Sequence, residues 1–285
     1  MTMYRTAALF VLVSFAAAPA AGAIHGTCKF DSNTLRFAGS VADTAGCLLR
    51  RVKEQGAGAE AQPVPRWLLE RIGRPVPFTA NQIQSYLARE GIAVDQLTDR
   101  LAIGDKPAIR YFVIHDTSSP EIKSTGTTFP ANINEAGWSG NRLGGWADVA
   151  RKVNLIISRD GRSRRLVEWG ARRPEPATKL EQTNKVPAAR PVFVHVENIQ
   201  PRIKPPNKWA WRAPTPGFGP AQERRLALAY IVASMRAGRW LIPAYHFNID
   251  EGVGESHDDP QHADLAAWVA QLALLEAAIL RGGSR

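Results

Sequence analysis

Apolar and polar positions along the chain fall into short strand-like runs in its middle and long helical patterns toward its end. Residues 108–114 (AIRYFVI) are mostly β-branched and aromatic, which predicts a central buried strand ending in His115. Residues 153–159 and 163–168 flank an Asp160–Gly161 pair, a spacing that predicts a hairpin around an Asp-Gly turn. Alternation over 192–197 predicts a strand with His195 and Glu197 on one face. The apolar run 240–246 predicts another, with His246 at or near its end. Residues 222–237 are amphipathic at helical spacing and closed by Gly238, and 261–280 form a last helical pattern stopped by Gly282 and Gly283. Strands with helices between and after them predict an α/β fold, a mixed central β-sheet flanked by helices.

Upstream the signals are shorter. Residues 34–39 predict a strand, 47–53 a short helix, and the Gly, Ala and Pro of 55–65 a loop. Thr79 with Gln82 forms a capping box for a helix that Gly91 stops, and a second short helix is expected over 95–102. The loop 116–146 is long enough to suggest function. A second loop, 200–220, carries six prolines with Arg, Lys, Trp and Phe between them. Rings beside cations suit the lip of a groove, which makes Arg202, Trp209 and Trp211 candidate substrate contacts; packing of the loop by its own aromatics is the alternative.

Composition narrows the setting. Residues 1–23 carry Arg5, an apolar run and small residues ending at Ala23, the pattern of a cleaved secretory signal peptide. No other stretch approaches spanning length, so a periplasmic or secreted protein is expected. The two cysteines, Cys28 and Cys47, lie just beyond the signal and fit a disulfide in an oxidising compartment. Residues 24–100 then read as a small N-terminal region stapled by that bond. The formal charge of +10 implies attraction to polyanions, and export favours the anionic cell wall over nucleic acid.

Chemistry concentrates in 245–261 (YHFNIDEGVGESHDDPQ), which holds His246, His257 and Asp259 among turn-forming glycines. Nitrogen and oxygen donors on short, ordered segments suit a divalent ion. The Asp258–Asp259–Pro260 step reads as a helix start, with a capping carboxylate and proline in the first turn.

Four segments in order, YFVIHDT (111–117), WADVARKVNLIISRDG (146–161), FVHVENIQPR (193–202) and YHFNID…HDDP (245–260), resemble zinc-dependent N-acetylmuramoyl-L-alanine amidases. This is the family shared with peptidoglycan recognition proteins and phage lysozyme-type amidases. The resemblance spans roughly 105–280 and leaves 24–100 outside it. It implies a zinc ion (Zn2+) held by His115, His246 and Asp259, with a fourth position for water, whose pKa such an ion lowers. Asp259 matches because the family places its third ligand directly before a proline. The spacing from His246 is longer than in many relatives, so Asp258 or His257 stands as the substitute.

The resemblance further implies Glu197 as general acid and base. Val153 stands where other branches carry a tyrosine, which moves that role to Glu197. His257 occupies the place of a lysine in several members and is a candidate oxyanion donor. Asn154 matches a residue of the site floor, with structural support as the alternative. His195, His262 and Asp258 are expected to serve strand packing, helix-start polarity and capping. The implied activity is hydrolysis of the bond between N-acetylmuramic acid and L-alanine in peptidoglycan or muropeptides, by a monomer. A non-catalytic peptidoglycan-binding module, or a zinc hydrolase of another muropeptide amide, are the alternatives.

Overall fold

The computed structural model describes residues 22–54, 56–122, 128–204, 211–254 and 257–282. The expected signal peptide therefore lies almost wholly outside the described residues. No helix among them is long and apolar enough to cross a membrane.

Three two-residue strands come first, β1 (Ile24–His25), β2 (Phe30–Asp31) and β3 (Arg36–Phe37), paired antiparallel. Helix α1 (Val41–Leu48) follows. Its cap is reciprocal: Ser40 Oγ accepts from the Asp43 amide while the Asp43 carboxylate accepts from the Ser40 amide. This starts the helix well before the expected 47–53, because an aspartate fills the place usually taken by Glu or Gln in such boxes. A hairpin, β4 (Arg51–Val52) with β5 (Ala59–Glu60), leads to α2 (Arg66–Leu69) and α3 (Ala80–Arg89). Helix α3 has the Thr79–Gln82 capping box read from sequence. No helix forms over 95–102 beyond a 3-10 turn at Val94–Gln96. There Thr98 Oγ1 donates to the Arg100 carbonyl and Asp99 pairs with Arg236, so side chains draw the backbone out of helical geometry.

The central sheet is built from β6 (Tyr111–Asp116), β8 (Leu155–Ile157), β9 (Ser163–Arg165), β10 (Phe193–Asn198) and β12 (Ile242–Tyr245). Outside it, β7 (Glu121–Ile122) pairs with β11 (Arg202–Ile203). The order is β12-β6-β10-β8-β9; the first four are parallel and β9 closes the edge antiparallel to β8. The expected Asp-Gly hairpin is thus present, with shorter strands. Helices α4 (Pro220–Ala237), α5 (His246–Asp250) and α6 (Leu265–Arg281) complete the chain, and Gly238 ends α4 at φ 75°. The result is a mixed α/β fold with a central mixed sheet flanked by helices.

Side-chain alternation divides the sheet into two faces. Phe112, Ile114, Val194 and Val196 pack against Tyr230 of α4 and Trp268 and Leu272 of α6. Tyr111, Val113 and Phe193 face the other way, onto Phe30, Phe37 and Leu48 of the N-terminal segment. Register pairs Tyr111 with Phe193, Val113 with His195 and His115 with Glu197. The second face is therefore apolar at its start and turns into histidine and carboxylate at the C-terminal ends of the strands. Ligands gather outside that edge in open parallel sheets.

Cys28 and Cys47 form the expected disulfide, closing a loop with a sequence separation of 19. Replacing both by serine is expected to lower unfolding free energy by roughly 3 kcal/mol through the lost constraint on the unfolded chain. Urea denaturation measures it as a reduced midpoint with a steeper slope, since the uncrosslinked unfolded chain exposes more surface.

The segment 258–260 does not start a helix. Helix α6 begins after Asp264, whose side chain accepts from the Ala267 amide. The physical reason is competition. Gln261 bridges to Val52, the Gln261 amide donates to Asp116 Oδ2 at 2.9 Å and the His262 amide to the Val52 carbonyl at 2.9 Å. These bonds hold Gln261 and His262 against Val52 of β4 and leave the Asp259 carboxylate turned inward.

Candidate metal centre

His115 arrives from the penultimate position of β6, and His246 from the first position of α5, directly after β12. Asp259 arrives from the irregular segment before α6, fixed by its carbonyl accepting from the Phe247 amide at 3.0 Å. One ligand atom from each of the three lies within 4.8 Å of the others, and all three residues are buried. His246 Nδ1 stands 2.9 Å from Asp259 Oδ1, and His115 Nδ1 3.5 Å from Asp259 Oδ2. A tetrahedral ion with bonds of ~2.1 Å spaces its ligands ~3.4 Å apart, so these separations suit a shared cation. Asp259 Oδ1 is buried and accepts no hydrogen bond among the described residues. A protonated His246 supplies the opposite charge, and two imidazoles with one carboxylate at these separations are also the donors a divalent ion takes. The donor set fits a metal ion.

The outer contacts fix which nitrogen of each ring carries its hydrogen. Asp250 accepts from the Lys179 and Leu180 amides at 2.8 and 3.2 Å and lies 2.9 Å from His246 Nε2. A carboxylate there requires N–H at Nε2, which directs Nδ1 toward Asp259. A second chain supports His115. Glu181, paired with Arg173 and accepting from the Ala177 and Thr178 amides, lies 3.2 Å from His195 Nε2 in a close but poorly aligned contact. His195 therefore keeps its hydrogen on Nε2 and accepts at Nδ1, which stands 2.8 Å from His115 Nε2. His115 then donates at Nε2 and points its Nδ1 lone pair toward Asp259. Ligating histidines are commonly oriented this way, by a partner on the other nitrogen. Exchange of Asp250 for asparagine is accordingly expected to weaken metal affinity about 10- to 100-fold with the ligands intact. Competition with a chromophoric chelator measures the change.

Electrostatics follow the geometry. Burial, with the charge of His246 beside it, lowers the His115 pKa to about 4, so this ring is neutral near pH 7. His195 is lowered to about 3 by burial and Arg173. Burial alone would raise Glu181; His195 and Arg173 outweigh it and hold the carboxyl at about 2. Burial would also discharge His246, yet Asp259 and Asp250 on its two sides raise it well above the ordinary histidine value. Asp259 is correspondingly depressed, its burial outweighed by His246 and His115.

Glu197 stands beside His115 in register and is buried, and no described residue hydrogen-bonds its carboxyl. Burial first, then Asp259 and Asp116, raises its pKa well above the usual carboxylate range. His257 is exposed and stacks on His246, ring centres 5.3 Å apart at 22°. Asp258 turns away: its carboxylate accepts from the Gly56 amide at 3.4 Å, and the clustered carboxylate is that of Asp259.

Other expected contacts lie elsewhere. Asn154 donates to the carbonyls of Val167 and Glu168 and accepts from the His195 amide, bracing β10 from behind. Arg202 lies buried beneath the centre and binds both oxygens of Asp116 at 2.6 and 2.7 Å. Asp116 in turn accepts from the Gln261 amide, so this pair anchors the Asp259 segment. Trp211 is half-buried beside Lys204, and its carbonyl accepts from Gln261 Nε2. Trp209 lies outside the described residues.

Sequence reasoning missed Asp250, Glu181, Arg173 and Asp116, and gave His195 only a packing role. Asp250 was legible as the position four residues after His246 on one helical turn. Glu181 sits in an irregular loop where no periodicity marks it. Comparisons with family models, with curated proteins and with solved structures find no match to this chain.

Proposed function

We propose that the protein is an exported zinc-dependent amidase that hydrolyses the bond between N-acetylmuramic acid and L-alanine of peptidoglycan. The observation that carries this reading is the meeting of His115, His246 and Asp259 from three distant stretches, with Glu197 at the same sheet edge. Two neutral-capable imidazoles and one carboxylate are the donor set of a catalytic zinc, which keeps a further position open. Zinc held there would supply Lewis acidity toward the scissile carbonyl and an acidified water. The fold, an α/β sheet with the centre at the carboxyl edge of its parallel strands, agrees with the amidase resemblance of 105–280.

Glu197 supplies the proton chemistry. A buried carboxyl with a raised pKa is suited to take a proton from the attacking water and return it to the departing L-alanine amine. His257, exposed above His246, offers an N–H to the oxygen that gains charge. The general positive charge attracts an anionic wall polymer.

Digestion of purified peptidoglycan tests this reading. Release of muropeptides with new L-alanine amino termini, abolished by chelator and restored by zinc, is expected. Wall binding without release of any new amino terminus would favour a recognition module, and a different new terminus would identify another amide.

Metal uptake carries its own pH signature. The His246 proton, held between Asp259 and Asp250, must leave before Nδ1 can ligate, whereas His115 is already neutral. Below the His246 pKa, affinity is expected to fall about tenfold per pH unit, the slope for one displaced proton. Titration calorimetry in buffers of different ionisation enthalpy measures that proton.

A further inference from the structure

A second polar concavity lies at the opposite end of β6 from the metal centre. It opens beside Tyr111, at the start of β6, roughly 13 Å from His115 at ~3.3 Å per strand residue. The cavity measures about 460 Å³, and Arg36, Arg110 and Arg239 are among its lining residues with Ile72, Tyr111 and Trp240.

Two of the three guanidinium groups are held in place by backbone. Arg110 Nη1 donates to the carbonyls of Thr34 and Leu35 at 2.8 and 3.2 Å. Arg239 Nη2 donates to those of Pro107 and Ile109 at 2.8 and 2.9 Å. Carbonyls position these heads without neutralising them. Among the described residues no carboxylate pairs with any of the three. Asp31, the cross-strand partner of Arg36, turns its carboxylate to the Asn33 and Thr34 amides instead. Arg50, Arg71, Arg173, Arg202 and Arg236 each have a carboxylate partner, whereas Arg110 and Arg239, like Arg159 and Arg225, donate to uncharged groups. The cluster is self-repelling, and burial together with Arg36 and Arg239 lowers the Arg110 pKa. Tyr111 Oη accepts from the Phe37 amide at 3.1 Å, leaving its own hydrogen to offer.

We propose that this cavity is a second ligand site, for the phosphate group of a phosphorylated sugar or similar small phosphomonoester. Guanidinium forks match phosphate oxygens in pairs, and the three positive charges more than offset a dianion. The volume exceeds what a lone phosphate fills, and the walls formed by Ile72 and Trp240 suit the carbon skeleton attached to it. This site does not depend on the amidase reading.

Titration calorimetry on the full chain, at low ionic strength with chelator present to silence the metal centre, tests it with glucose 1-phosphate. One binding event per chain is expected, absent with glucose. Arg36 makes no side-chain hydrogen bond to a described residue, so Arg36→Gln leaves the fold intact and is expected to weaken binding about tenfold, the effect of one charged hydrogen-bonding group. Arg36→Glu is expected to abolish binding, and Arg239→Gln to weaken it by a similar factor. No heat from the unaltered protein, or equal binding by Arg36→Glu with an unchanged melting temperature, would overturn the proposal.

Discussion

Alanine in place of Asp259 is expected to weaken zinc binding by more than about 100-fold, beyond the range typical of outer-shell partners. The reason is geometric. Asp259 is the residue that both imidazoles face, 2.9 Å from His246 Nδ1 and 3.5 Å from His115 Nδ1. Without it two neutral donors remain, and no other carboxylate takes its place, because Asp258 is turned to Gly56. Metal content after dialysis against a weak chelator measures the loss; full retention would reject Asp259 as a ligand. The same substitution acts on the metal-free fold. Asp259 has a depressed pKa in the folded state, so it contributes stability above the unfolded carboxylate value, and that contribution fades as pH falls toward the folded one. Asp259→Ala is therefore expected to destabilise the metal-free protein near pH 7 by about 3–5 kcal/mol, the cost of removing one partner from a buried ion pair. The deficit narrows in acid, where thermal unfolding at several pH values would reveal it.

Glu197→Gln is expected to do the opposite to stability while removing activity. Amide hydrolysis should fall about 10²- to 10⁴-fold, the usual contribution of a positioned acid–base group, with bound zinc unchanged. In the folded state the Glu197 pKa is raised by burial, Asp259 and Asp116. A carboxyl raised on folding stabilises the native state below its unfolded pKa and loses that contribution as pH rises through the folded value. Glutamine carries no such penalty. The metal-free variant is thus expected to melt above the unaltered protein at pH 7–8, with the gap closing toward pH 4. A variant that loses activity and melts lower at all these pH values would mark Glu197 as a structural residue. Raised stability with lost turnover is a pattern common where a site holds a strained or unpaired group.

Much of this was readable in the chain because the relevant signals are local. The runs at 108–114, 192–197 and 240–246 announce strands, and once they pair in parallel, His115, Glu197 and His246 share one edge. The Asp-Gly hairpin, the Thr79–Gln82 cap and the Gly238 stop are likewise written in a few adjacent residues. What was not legible depends on contacts across the fold. Proline after Asp259 has the look of a first helical turn, yet bonds to Asp116 and Val52 from remote parts of the chain keep that segment out of a helix. Arg202 reads as a surface cation among prolines, and only the fold brings Asp116 beneath it. Glu181 and His195 become a support for His115 through the placement of a loop that carries no periodic pattern. The apolar N-terminal residues Phe30, Phe37 and Leu48 gave no hint that they cover the sheet face leading to the centre.

Crystals grown with zinc and measured at its absorption edge test the central claim most directly. One strong anomalous peak is expected, bonded to His115 Nδ1, His246 Nδ1 and an Asp259 oxygen at ~2.0–2.2 Å. A peak located elsewhere, or no peak with His246 still bridging Asp250 and Asp259, would contradict it.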